Sequence, residues 1–388
     1  MGDKSAFVGG MRVKLGDYIK EYSVKNKNNE DIPVYSVSNS LGFCKDYFGK
    51  EVASKNKTTY KIVPRGCFAY NPSRINVGSV DWQNEEERVI VSPLYNVFSV
   101  SPLLDQQYLL YYLKSNVTLS RIRAVASGSV RDNLKLSMLY EFPIDLISLD
   151  QQYEVVSILN AVQKIIDLYQ KELSGLDELV RARFVEMFGD PFLNEKGWIT
   201  KPLIDMGNCK NGMNFHYNEN GCEVKCLGVG DFKDLSIINN IESLQTVSLN
   251  EMPSEEYMLR DNDIVFVRSN GNKALVGRSI VIYPGDVPTT FSGFCIRYRK
   301  YDDSIMVPYL LHVLKTDSFR NKMVGRGANI QNLNQQILAS LIIPVPPLEL
   351  QNQFASFVQE IDKSRSRIQK SLEASQELFD SLMQEYFG

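Results

Sequence analysis

The chain has 388 residues, 44% hydrophobic and 23% charged, an ordinary globular composition with room for two or three domains. It holds no run of 18 apolar residues, so no membrane span is expected, and its six cysteines are too few for a disulfide scaffold, which reads as a reducing cytoplasm. Net charge is −3, yet residues 1–148 carry 19 basic and 15 acidic side chains and residues 191–346 carry 16 of each, while 149–190 (4 and 8) and 347–388 (4 and 7) hold the acidity, so the total does not exclude a nucleic-acid partner.

The first ten residues, MGDKSAFVGG, lack the charged-then-apolar pattern of a signal peptide and stand outside the fold reading. Residues 12–147 are rich in Val, Ile, Tyr and Phe in short runs broken by Gly, Pro, Asn and Asp, which predicts mainly strand with some helix. Inside them GCFAYNPSRINVG (66–78) reads as an apolar strand followed by a polar, basic, Asn-rich turn. Over 148–190 the spacing changes. Val155, Leu159, Val162, Ile166, Tyr169, Leu173, Leu176 and Val180 follow alternating steps of four and three, the seam of a helix packed along its length on another helix. Asp150 is the expected N-cap, and Gly189 followed by Asp190 and Pro191 the expected stop.

Residues 198–346 repeat the strand-rich texture. There DIVFVRSNGNKALVG (263–277) parallels the segment at 66–78 with two extra residues, and PVPP (344–347) marks the step into a second long helix over 347–388. Its seam reads Phe354, Val358, Ile361, Arg365, Ile368, Leu372, Ser375 and Phe379, with Arg365 and Ser375 as polar intruders. The second helix copies the first: residues 128–189 set against 327–388, an offset of 199, share 17 identities in 62 positions, ending on EMFG at 186–189 and EYFG at 385–388. A period of half the chain is a duplication. Two seams in one chain pack most simply on each other, antiparallel, each helix about 38 residues and about 57 Å long at 1.5 Å per residue, with polar and acidic outer sides. The fold class expected is α+β: two mainly-β domains (12–147 and 198–346), two long antiparallel coiled-coil helices (148–190 and 347–388) and a pseudo-twofold internal repeat.

This layout, and GRGANIQNLNQQILASLIIPVPPLELQNQF (325–354) in particular, resembles the DNA-specificity subunits of type I restriction–modification systems. The features that carry the likeness are an Asn/Gln-rich loop, an apolar strand, a Pro-x-Pro-Pro step and Gln near the helix start; 128–152 holds a worn copy without the triple proline. The resemblance implies two target-recognition domains, each reading one half of a split double-stranded DNA target with an unread spacer of fixed length. It further implies two copies of an adenine methyltransferase and a motor–nuclease subunit as partners in antiviral defence. S-adenosylmethionine, ATP and Mg are expected on those partners and no cofactor on this chain. The alternatives are a coiled-coil scaffold whose bodies bind proteins, and a recognition module of another defence system with the same architecture.

Catalytic signatures are missing. There is no G-x-x-x-x-G-K-[ST] and no G-x-S-x-G, and His216 and His312, the two histidines, read as structural or surface residues. YNPSR (70–74) has Ser73 and Arg74 where an adenine methyltransferase motif needs a second proline and an aromatic, so the stack on a flipped base is absent. Cys209, His216, Cys222 and Cys226 are separated by six, five and three intervening residues, which does not suit zinc, and no metal is expected. In a DNA reader, Lys and Arg meet phosphates, Arg pairs bidentately with guanine and Asn or Gln with adenine. The candidates are Asn71, Arg74, Asn76 and Arg131 in the first domain, and Arg268, Asn270, Asn272, Lys273, Arg326 and Gln331 in the second.

Overall fold

A computed structural model describes residues 10–45, 56–126, 133–215, 221–232, 236–324 and 332–388. Two compact units emerge, Met1–Lys171 with Gln369–Gly388, and Glu172–Ile368. The division falls inside the two long helices, so each unit is one strand-rich domain plus part of both helices.

In the first unit β1 (Met11–Lys14) pairs with β10 (Pro143–Leu146), and β2 (Ile19–Glu21), β9 (Asn96–Val100), β6 (Phe68–Tyr70) and β7 (Val80–Trp82) form an antiparallel sheet in the order β2-β9-β6-β7. The ribbons β3 (Ser36–Ser38) with β4 (Gly42–Cys44) and β5 (Lys61–Pro64) with β8 (Arg88–Val91) lie beyond it. Helices α1 (Gln106–Lys114), α2 (Asn116–Ala126) and α3 (Leu136–Leu139) complete the domain, and α4 (Leu149–Phe188) follows. The second unit pairs β11 (Ile199–Pro202) with β20 (Ile342–Val345). Its five-stranded sheet has the order β12 (Gly207–Asn211), β19 (Cys295–Lys300), β16 (Asp263–Val267), β17 (Ser279–Ile282), β14 (Ile237–Ile238). A three-stranded sheet runs β15 (Gln245–Leu249), β13 (Cys222–Leu227), β18 (Thr289–Phe291), and α5 (Val307–Lys315), α6 (Asp317–Val324) and α7 (Gln335–Ala339) precede α8 (Leu348–Phe387).

The central strands are apolar without a break because both faces of their sheet are covered. On β6, Phe68 and Tyr70 point into the cluster shared with the helices, while Ala69, with Cys67 and Val97, belongs to a cluster facing the outer ribbons. On β16, Ile264 and Phe266 face the helices and Val265 and Val267 the other side. Side chains alternate along a strand, so one apolar run feeds two cores.

The duplication extends beyond the offset of 199. Helices α1 and α5 read QQYLLYYLK and VPYLLHVLK, matched at an offset of 201. Tyr108 Oη donates to Asp145 O (3.2 Å) and Tyr309 Oη to Pro344 O (2.9 Å), so each helix ties to the last strand of its domain. Two fully buried amides act as twin nodes. Gln152 accepts from Asp105 N and donates to Leu103 O and Ile147 O; Gln351 accepts from Met306 N and donates to Ser304 O and Pro346 O. Each joins the domain's helix entry to the start of a long helix.

The recurring Phe-Gly has a matching account. Phe188, 1% exposed, meets Tyr309 edge-on with centroids 4.7 Å apart, and also Phe354. Phe387 packs on Tyr108 at 5.1 Å. Gly189 has φ +74 and its N–H reaches Val185 O, a left-handed helix stop. Val155, Leu159 and Ile166 are at most 1% exposed, and Val162, Val180 and Phe354 are also buried. Tyr169, Leu173, Leu176, Val358, Ile361, Ile368, Leu372 and Phe379 are half-buried. In each unit the helix segments run antiparallel: Phe184 and Phe188 lie against Phe354 in one, and Val155 and Leu159 share a core with Met383 and Phe387 in the other. Arg365, the intruder, pairs across the helices with Asp177 at 2.6 Å. Ser375 bonds back to Ser371 O, satisfied within its own helix.

Two expectations need correction. The N-terminal device of α4 is Ser148, not Asp150: Ser148 N and Oγ donate to Gln151 Oε1 and Gln151 N to Ser148 Oγ, a capping box one residue outside the helix. The outer side of α4 is not purely polar, since Tyr153, Ile165, Leu168, Leu179 and Val185 are exposed.

Candidate nucleic-acid interface

The two segments aligned by eye, 66–78 and 263–277, take the same path. Strand β6 runs into a one-turn 3-10 helix at Ile75–Val77, Gly78 adopts φ +88, and the chain returns on β7. Strand β16 runs into a 3-10 helix at Lys273–Leu275, Gly277 adopts φ +76, and the chain returns on β17. Glycine is needed at both exits because the backbone there is left-handed; at Gly277 an added Cβ would also meet Val324 and Met323 of α6 at 3.4 and 3.5 Å.

The turns are built largely by their own backbone and asparagines. Asn71 O accepts from Arg74 N and Ile75 N, and Asn71 N donates to Ser79 O. Asn71 Oδ1 accepts from Ser73 N (3.1 Å) and Ser73 Oγ (2.9 Å), which uses both its lone pairs and leaves only the Nδ2 donors for a ligand. In the second unit Asn270 Oδ1 accepts from Asn272 N and Asn272 Oδ1 from Ala274 N. Among the described residues each oxygen accepts that one bond, so each can offer the donor–acceptor edge that adenine requires.

The cations differ in freedom. Arg74 is exposed and its guanidinium has no partner among the described residues. Arg268 is half-buried, donating Nη1 to Gly293 O at 3.3 Å, with its backbone N–H on Phe294 O. Phe294 beside it is 60% exposed. Asn76 is half-buried, and Lys273 opens the second 3-10 turn. Arg131, Arg326 and Gln331 lie outside the described residues. Nearby in sequence, Leu134 N donates to Pro72 O and Leu333 N to Arg268 O, so in both units the lead-in to α3 or α7 is tied to the candidate turn. Tyr70 reinforces this in the first unit, donating to Leu134 O and accepting from Asn96 Nδ2.

Two arginines that sequence reading passed over hold the turns from behind. Arg123 Nε of α2 donates to Asn76 O at 3.3 Å, and Arg320 Nη2 of α6 donates to Ala274 O at 2.6 Å. Each carbonyl is the middle one of its 3-10 turn. Only the parallel placement of α2 and α6 in the two halves could have drawn attention to them.

Among the described residues, the buried cysteines and His312 serve packing. Burial pushes the Cys209 and Cys226 thiols up to about 12 and Cys295 higher still, which keeps them protonated and inert. His312 Nδ1 lies 2.8 Å from Pro308 O, and the ring closes a three-ring cluster with Phe184 and Phe354, a packed structural residue. Among the described residues no group of three or more His, Cys, Asp or Glu is arranged for a metal; His216 falls outside them. No described helix is long and apolar enough to cross a membrane.

A family described as the type I restriction modification DNA specificity domain matches residues 12–178 and again 195–376. Among curated proteins the chain is 23% identical over 301 residues to the type I restriction enzyme StySPI specificity subunit of Salmonella potsdam, covering 72% of this chain and 64% of that one. It is 25% identical to the EcoKI specificity subunit of Escherichia coli K12, covering 45% and 39%. The alignments thus span less than two thirds of these relatives' own length. Among solved structures, the crystal structure of the S subunit of a type I restriction–modification system from M. genitalium superposes with a TM-score of 0.56 at 16% identity, covering 100% of this chain and 99% of that one. A chain from a structure of type I restriction–modification complex assembly does so at 0.59, 16% identity and 98% coverage of each. At that identity the likeness is one of fold.

Proposed function

This chain belongs to the type I restriction–modification DNA specificity family, and on that premise we propose that it is the non-catalytic recognition subunit of such a system. It reads a bipartite double-stranded target, one half-site per domain, with an unread spacer of fixed length between them. It directs two copies of an adenine methyltransferase and a motor–nuclease subunit to that target in the cytoplasm, and S-adenosylmethionine, ATP and Mg act on those partners.

The observation that carries the reading is the pair of equivalent turns. Each domain presents a polar loop of Asn and Arg or Lys on a covered sheet, and in each a leucine N–H from the segment ahead of α3 or α7 bonds to a carbonyl of that loop. Exposed cations supply affinity through phosphates, and amide or guanidinium edges in a groove supply sequence. Arg74 has a free guanidinium fork for guanine, and Asn270 and Asn272 keep the edge that suits adenine. The loops differ in letters between the domains, so the half-sites differ.

The test is co-expression with the methyltransferase subunit and sequencing of methylated genomic sites. The expected result is one motif of two unlike half-sites with constant spacing. Methylation without sequence preference, or methyl transfer by this chain alone, refutes the proposal.

A further inference from the structure

We infer that Arg123 and Arg320 are positioning residues for half-site readout: each guanidinium fixes the middle carbonyl of a recognition turn, and neither takes its place on a DNA phosphate. The inference rests on the DNA-reading function proposed above and deepens it.

Three observations carry it. First, the contact occurs twice, in domains whose turns differ in length and letters. Arg123 Nε reaches Asn76 O at 3.3 Å and Arg320 Nη2 reaches Ala274 O at 2.6 Å. Second, the target carbonyl is equivalent in each turn, the central one of Ile75–Val77 and of Lys273–Leu275. A one-turn 3-10 helix leaves carbonyls without internal partners, and a charged donor fills that vacancy with a hydrogen bond stronger than a neutral one. Third, each arginine stems from the helix after the domain's Tyr-Leu-Leu helix, and α6 is further fixed by Met323 and Val324 against Gly277. The guanidinium therefore transmits the position of a rigid helix to the turn.

The consequence is specific. Asn76 carries the held carbonyl on its own backbone, and Asn272 Oδ1 accepts from Ala274 N, so these candidate side chains inherit their aim from these bonds. An arginine on a phosphate contributes affinity to every sequence alike and adds about one to the salt slope. An arginine behind the turn contributes discrimination and leaves that slope alone.

The experiment uses the full chain with its methyltransferase, selecting from a random duplex library, with binding of the selected duplex followed across a salt series. The variants are Arg320→Gln, which keeps an amide donor without charge, Arg320→Lys, which keeps the charge without the fork, and Arg123→Gln. The expected result for both Arg320 variants is discrimination at the second half-site reduced at least about fivefold, the first half-site unchanged and the salt slope unchanged. Arg123→Gln is expected to relax only the first. A salt slope lowered by about one, with equal weakening on all sequences and rescue by Arg320→Lys, overturns the inference, as does full discrimination in all three variants. Melting curves identify a variant that has unfolded, and the other arginine then decides. If the unaltered chain selects no paired half-sites, the proposed function fails and the inference falls with it; if it does and the variants behave like it, only the inference fails.

Discussion

Beneath the turn of the first unit, Phe68 and Phe98 lie opposite each other on β6 and β9 and stack at 5.0 Å. Beneath the turn of the second, Asp263 and Arg299 extend the same pairing of strands, joined through both carboxylate oxygens at 2.8 and 2.7 Å, with Arg297 buried next to them. The helices differ likewise. Tyr111 on α1 donates to Asn160 Oδ1 and meets Phe379, whereas His312 at the equivalent place on α5 packs on Phe184 and Phe354. What stays constant is the frame: a buried Gln at the helix start, a helical Tyr bonded to the last strand, a Phe at the far helix end. A duplicated fold keeps its junctions and lets the material between them drift, because junctions bind several segments at once and interior pairs answer only to each other.

Removing the shared anchor tests this most severely. Phe188→Ala, at a 1% exposed site among Tyr309, Phe354 and Phe184, is expected to cost about 3–5 kcal/mol in the second unit. Phe387→Ala, at an 8% exposed site, should cost less and act on the first. Hydrogen exchange resolved by peptide will show which unit loses protection. Equal loss in both from either change breaks the comparison.

The buried charge comes next. Asp263 is 1% exposed, so Asp263→Asn leaves Arg299 without its counter-ion and is expected to cost about 3 kcal/mol in denaturant unfolding. The matching change Phe98→Leu in the first unit leaves no charge stranded and should cost clearly less.

His312 is expected to make the second unit acid-sensitive. Burial lowers its pKa to about 4 from an ordinary 6.5, so the unfolded chain binds more protons between those values. Stability is full above about 6.5 and is lost as pH falls toward 4, by about 1 kcal/mol between pH 7 and 5 given the ring's partial exposure. His312→Phe should flatten the slope of melting temperature against pH; an unchanged slope assigns the acid response elsewhere.

The smallest effect belongs to Arg365 and Asp177, whose side chains are 34% and 56% exposed. Arg365→Met should shift stability by less than about 1 kcal/mol, because exposed ion pairs gain little over hydration. Its apolar counterpart in the repeat, Ile166, is 1% exposed and should tolerate Ile166→Ala far worse.

Much of this architecture was legible before any coordinates. The heptad steps exposed both long helices, since one buried stripe imposes its period on the letters. The strand–turn–glycine parallel at 66–78 and 263–277 was visible because left-handed exits need glycine. The match of α1 with α5 escaped because its offset is 201 and not 199. The Ser148 cap was missed because helix ends depend on which residue first takes helical backbone angles, and Asp150 was as good a letter. The exposed Ile165 and Leu168 were missed because a seven-residue template notices the stripe it fits. At the candidate interface, residue types could nominate Arg74 or Asn272, but only geometry separates a free guanidinium from one held at a carbonyl, and an open amide oxygen from one spent on its own turn.

That the turns are held through main-chain atoms has a further consequence. Asn76 O, Ala274 O, Pro72 O and Arg268 O are the points of attachment, and every amino acid carries a carbonyl. The other letters of a turn can therefore mutate without loosening these moorings, provided the exit glycine and the asparagines that shape the turn stay. A recognition turn gains from such an arrangement, because new side chains can be tried at little risk to folding.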